Sequence, residues 1–221
     1  IRVEGIFSHF PVSDDLNEDA VAFTKRQIEL FDEAIERLKA ENIDPGARHI
    51  QNSYGILNYM DLGYDYCRPG LLYMGVTSDD EVEIQSAPDF IPILSIYANV
   101  SVVKWLKPGE TVSYGRHFKA EKPTKVATVS IGYADGLPRI LSNQGLKVRV
   151  NGVLCELIGN ICMDQCMVDV TDVENVQEGD VVCFIGEGLT VDRITRAAHT
   201  INNETLTSIA ARMPRLEKRN K

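Results

Sequence analysis

The chain has 221 residues, 44% hydrophobic and 25% charged, with a formal net charge of −9. That is enough apolar material for two modest domains or one large one. The acidic balance argues against nucleic acid or an anionic membrane as the main partner, because both require a basic face. The five cysteines form no C-x-x-C pair and the four histidines are scattered, so neither a disulfide framework nor a metal site is expected. A reducing, cytoplasmic compartment fits this usage. There is no apolar run of membrane-spanning length and no signal peptide. The chain opens on Ile1 directly in a strand-like run. It reads as the C-terminal part of a longer polypeptide, with any membrane tether lying outside it.

Strand and helix patterns alternate at first. An apolar strand at 5–8 runs into Ser8-His9-Phe10, and a capping-rich segment follows at 13–17. Residues 19–38 carry a helical stripe of Phe23, Ile28, Phe31, Ile35 and Leu38. A second strand at 48–51 leads into Asn52-Ser53 and a short helix ending near Gly63. A third strand is expected at 64–68, running into Pro69-Gly70. This grammar implies parallel strands with crossover helices. It supplies too few units to close an eight-stranded barrel, which needs ~250 residues. The first domain, placed at 1–85, is therefore expected to be the C-terminal part of a (β/α)8 barrel.

The grammar changes across 78–92, and 86–221 is expected to be a β-rich domain. Strand-like runs at 93–103, 124–131, 146–150 and 153–157 are separated by Pro-Gly, Asn-Gly and Glu-Gly-Asp turns. Asn151-Gly152 is a strong two-residue hairpin signal. Helices are expected at 191–199 and 204–210, with Asn202 capping the second.

Three polar groups follow or end successive predicted strands: His9, Asn52-Ser53 and Arg68. In parallel α/β folds, loops after strand C-termini share one face, and that face carries the site. Taken singly, each has a plain structural reading: a loop histidine, a helix cap, and an arginine in an ion pair, for instance with Asp65. Gly70 allows close backbone approach to an anion, and Ser53 stands at a helix start where negative charge is favoured.

Five signatures occur in order: S-H-F at 8–10, R-P-G at 68–70, V-S-Y-G at 112–115, I-G-Y-A-D-G at 131–136 and I-C-M-D-Q at 161–165. Together they resemble alanine racemase, a family that inverts amino acids with pyridoxal phosphate (PLP), and the closing R-M-P-R at 212–215 matches the family's ending. The resemblance implies that Ser53, Gly70 and Leu71 hold the PLP phosphate and that Arg68 faces the pyridine nitrogen. It implies that Tyr114 is a catalytic base. A phenol, with a reference pKa of ~10, needs help to act as one, and the resemblance assigns that help to His9, itself bonded to Arg68. Tyr133 is implied at the substrate entrance, and Met163 is implied to offer its N–H to the substrate carboxylate. Both are given across a homodimer with composite sites.

Two departures matter. The family's PLP-anchoring lysine has no match here, so it is expected in an N-terminal segment of the same polypeptide. Near the C-terminus the family has T-I-N-Y-E, whereas residues 200–204 read T-I-N-N-E. Asn203 in place of tyrosine resembles the racemase domain of VanT-type serine racemases from glycopeptide-resistance clusters. It is assigned to both cofactor and substrate, since the smaller polar side chain can admit and bind a hydroxymethyl group. The expected activity is L-to-D racemisation of serine and alanine, supplying D-amino acids for altered cell-wall precursors. The rivals are plain alanine racemase and a non-catalytic PLP-binding or interaction module. A cofactor-free racemase using Cys162 and Cys166 is a weaker rival, because an extended segment separates those thiols.

Overall fold

The structure, a computed structural model, describes residues 2–86 and 88–217. It divides into two compact units, Ile1–Ile93 and Leu94–Lys221.

In the first unit, β1 (Gly5–Phe7) and β2 (Ala47–His49) pair in parallel, with Phe7 opposite His49. Between them in sequence runs α1 (Glu18–Ala40). Asn17 caps it by accepting from Ala20 N at 2.9 Å. Acidic residues occupy its first turn and Arg37 and Lys39 its last, which matches the helix dipole. Its buried face is Ala20, Thr24, Phe31 and Ile35. Phe23, one step off this stripe, is exposed. Phe31 and Ile35 pack with Phe10 and Ile50, the residues just beyond the two strands, so the core locks the strand ends in place. The short α2 (Ser53–Asn58) starts at Asn52, whose side chain accepts from Gly55 N.

Residues 64–68 do not form the expected third strand. They lie beside β2, but Asp65 N and Tyr66 N both donate to Arg48 O, and Arg68 N donates to Gln51 O. Sharing one acceptor breaks the regular spacing that a ladder requires.

In the second unit six antiparallel strands close into a barrel: β3 (Ile96–Leu106), β6 (Thr124–Val129), β9 (Cys166–Asp169), β8 (Val153–Ile158), β7 (Lys147–Val150) and β10 (Val181–Ile185), in that order around the ring. Closure was not foreseen from the sequence. Val100, Val126, Val129, Val148, Val150, Val168 and Phe184 are almost fully buried, each side chain contributing roughly 1.5–3 kcal/mol. Asn151 and Gly152 join β7 to β8 with φ of 46° and 83°. Both are positive, as a type I′ turn demands. A small hairpin of β4 (Thr111–Val112) and β5 (Phe118–Lys119) projects between β3 and β6.

Two helices, α3 (Val191–Ala197) and α4 (Asn202–Thr207), end the unit. Asn202 is not a cap. It lies inside α4 at 1% exposure, donates to Asp192 Oδ1 at 2.6 Å and accepts from Thr195 at 2.7 Å. A buried carboxylate ten residues upstream outcompetes the backbone for its amide.

Candidate active site

Arg68 sits at the C-terminal ends of the two parallel strands. Its Nη2 donates to Ser8 O at 2.7 Å and to Ile50 O at 3.2 Å, the carbonyls just beyond β1 and β2. Nη2 also reaches His9 Nδ1 at 3.3 Å, and Nη1 contacts His49 Nδ1. The guanidinium carbon lies 5.5 Å from the Phe7 ring centre. An arginine held on this many sides cannot swing, so its charge has a fixed address. Asp65 is not its partner. Asp65 binds Arg48 at 2.8 Å, and that guanidinium pulls its carboxyl down to about 2.

His9 is fixed from both ring edges. Asn52 Nδ2 lies 3.3 Å from its Nε2, while the same amide donates to Phe10 O at 3.0 Å. Arginine can only donate. A neutral ring therefore accepts at Nδ1 from Arg68 or at Nε2 from Asn52, never at both in one tautomer.

Ser53 and Gly70 also meet. A β-carbon at residue 70 would lie 3.5 Å from Ser53 Oγ and fill the space before that hydroxyl. Leu71 follows as the first residue of a 3-10 turn, Leu71–Met74. Among the sequence-predicted residues, the first unit thus brings together His9, Ser53, Arg68, Gly70 and Leu71.

The second unit carries the others. Tyr114 is 74% exposed, on a short turn where Ser113, Gly115 and Arg116 have φ of 66°, 75° and 53°. Tyr133 and Met163 stand on two loops that zip together. Tyr133 N donates to Cys162 O and Ala134 N to Met163 O, each at 3.0 Å. The approach is so close that a β-carbon at Gly132 would lie 2.3 Å from Cys162 O. Arg212 crosses both loops, binding Asp135 at 2.7 Å and Asp164 at 2.6 Å. The two carboxylates hold the guanidinium's proton more firmly than usual.

Asn203 lies on α4, and its Oδ1 is buried without a hydrogen-bond partner. A cavity of about 330 Å³ opens beside it in sequence, lined by Tyr133, Ile140, Thr200, Glu204 and Ser208 but not by Asn203 itself. The two-thiol alternative fails on burial. Cys166 is 1% exposed, and burial pushes its thiol far above the ordinary range.

Family models for the alanine racemase N-terminal and C-terminal domains match residues 1–78 and 93–217. The chain belongs to the alanine racemase family. It is 40% identical to alanine racemase 1 of Clostridium acetobutylicum over 98% of its own length and 56% of that protein. It is 38% identical to an amino-acid racemase of Enterococcus faecalis over 96% of itself and 30% of that protein. Among solved structures, alanine racemase of Bacillus anthracis with bound L-Ala-P superposes with a TM-score of 0.88 at 30% identity, covering 98% of this chain and 55% of that one. The Bartonella henselae enzyme, with covalently bound pyridoxal phosphate, gives 0.78 at 31%, covering 96% and 56%. The chain thus spans just over half the length of the Clostridium, Bacillus and Bartonella relatives. The family is PLP-dependent, and its fold joins a PLP-binding barrel to a β-rich domain.

The residues present fit that cofactor. The hydroxyl of Ser53, left open by Gly70, suits a phosphate, and the fixed donor-only Arg68 suits a ring nitrogen that is to stay unprotonated. Two residues of these clusters carried no role in the sequence reading. His49 stacks on Phe7 at 5.4 Å while holding Arg68. Its signal was a second histidine at a strand end, parallel to His9. Arg212 belonged to a recognised motif, but only the folded loops reveal its two carboxylates.

Proposed function

We propose that the chain is the C-terminal part of a PLP-dependent amino-acid racemase acting on alanine. An N-terminal segment would supply the anchoring lysine. The observation that carries the reading is the clamp on Arg68 by Ser8 O, Ile50 O, His9 and His49. Bound PLP supplies an electron-withdrawing ring that makes the amino acid's Cα–H acidic. Arg68 presents a guanidinium that accepts no proton and disfavours a proton on the nitrogen facing it. That restrains electron withdrawal and favours return of the proton to Cα. Ser53, Gly70 and Leu71 hold the phosphate. Tyr114 removes or returns the Cα proton on one face, with His9 as its hydrogen-bond support. Met163 N–H orients the substrate carboxylate, and Tyr133 narrows the entrance. Tyr114, Tyr133 and Met163 serve the site of a second copy, which makes a homodimer the active form.

The test uses the chain joined to its N-terminal segment and loaded with PLP. L-Alanine should lose optical activity, and Tyr114→Phe should slow this by about 10²-fold or more with the PLP absorbance retained. A wild type that racemises neither alanine nor serine, or a Tyr114→Phe variant at full rate, refutes the reading.

Asn203, a smaller polar side chain where the resemblance has tyrosine, supports serine as a further substrate, since it leaves room for a hydroxymethyl group. Asn203→Tyr should then lower the serine-to-alanine ratio of kcat/KM about 5- to 150-fold, as expected for one polar contact worth ~1–3 kcal/mol. An unmoved ratio removes serine from the proposal.

A further inference from the structure

Tyr114 poses a problem that its own side chain cannot solve. At 74% exposure the ring has little packing to orient it, so its aim is set by its backbone. That backbone is held where side chains rarely sit: Ser113 and Arg116, neither a glycine, both have positive φ, with Gly115 between them. Such conformations persist only where the surroundings over-determine them.

The restraint comes from Asn160, on the segment that leads to Met163. Its side chain is buried, at 8% exposure. Nδ2 donates to Tyr114 O at 2.8 Å, and its own carbonyl accepts from Ser113 Oγ at 2.5 Å. Oδ1 accepts from Asn143 Nδ2 at 3.2 Å, which fixes the amide's orientation. Ile161 N donates to Ser142 Oγ at 2.9 Å, anchoring the same stretch. At Gly159 a β-carbon would lie 2.8 Å from Ser113 Cβ, so the two segments are in contact along their length. Met163 follows three residues later and bonds the Tyr133 loop.

We infer that Asn160 is a positioning residue for the racemase reaction, holding the turn of Tyr114 at a set place relative to Met163. The inference rests on the functional reading above. One buried amide ties the base to the segment that meets the substrate carboxylate, so the proton and the group that orients it share a frame.

The discriminating substitution is Asn160→Asp. It keeps the size, the acceptor for Asn143 and the main-chain carbonyl for Ser113. It removes only the donor to Tyr114 O and sets a carboxylate oxygen against that carbonyl. In the PLP-loaded protein, kcat for alanine should fall at least about 10-fold while KM moves less than about 3-fold, the pattern of a misplaced reacting group. A second readout needs no activity. Arg116 is exposed in the same turn, so trypsin should release the fragment ending at Arg116 about 10-fold faster. Val148→Ala, a barrel-core change, controls for general loosening and should alter neither kcat nor that nick. Unchanged nicking and unchanged kcat in Asn160→Asp overturn the inference, as does faster nicking with an unaltered kcat. A wild type without racemase activity overturns the functional reading instead, and the nicking rates still decide the clamp.

Discussion

Replacing Asn202 with alanine should cost the second unit about 3 kcal/mol. The side chain lies between α3 and α4 at 1% exposure. It gives a 2.6 Å bond to Asp192, itself 8% exposed, and receives a 2.7 Å bond from Thr195. Thr195 keeps a second contact, 2.8 Å to Thr205 Oγ1, so its hydroxyl is not stranded. The carboxylate is the main loss, since a hydrogen bond to a charged group is worth ~1.5–3 kcal/mol and an under-partnered buried acceptor adds ~1 kcal/mol or more. Urea unfolding followed at Trp105 reads the right unit, because the chain's single tryptophan lies on β3. With a slope of about 1.5 kcal/mol/M the midpoint should drop by about 2 M. Asp192→Ala combined with Asn202→Ala should cost ~1–2 kcal/mol less than the sum of the two single changes. A midpoint shift below about 0.5 M, or strict additivity, refutes the account.

Gly132→Ala would place a β-carbon 2.3 Å from Cys162 O and 2.4 Å from Met163 O, both backbone atoms. The Tyr133 and Met163 loops must then part, and thermal unfolding should show a loss of roughly 1–3 kcal/mol with a raised KM. Asp65 gives a pH signature. Its carboxyl is drawn to about 2 by Arg48, from 3.8, so the bond's stabilisation is present above about 3.8 and is lost as pH falls towards 2. The difference in thermal midpoint between wild type and Asp65→Asn should therefore be constant near neutrality and shrink over that acid window. A constant difference throughout would contradict the pairing.

Features carried by adjacent residues were legible in the sequence, whereas those created by distant partners were not. Asn151-Gly152 announces its hairpin, because positive φ at two neighbouring residues is a local demand. His9 and Ser53 could be gathered at strand ends from alternation, while Arg68 was placed beside them by a strand at 64–68 that does not form. Yet nothing local says that Asp65 goes to Arg48 and leaves Arg68 to His49. Asn202 resembles a helix cap until Asp192 arrives beside it. The barrel's closure depends on Val181 meeting Asn99, a pairing that periodicity cannot see. Tyr114 was identified through its motif, while its restraint by Asn160 spans 46 positions. Its exposed ring gives no pattern of its own.

The ring of strands also sets a condition on synthesis. β10 closes the barrel by pairing with both β3 and β7, and the loops bearing Tyr114, Tyr133 and Met163 all lie between β3 and β10 in the chain. While the chain is emerging from a ribosome, those loops have no closed wall behind them until Ile185 has been made. A message cut short before that codon would yield those loops without the closed wall that carries them. Until β10 is in place, β3 and β7 each keep an unpaired edge, and the sheet that carries those three loops stays open along one seam.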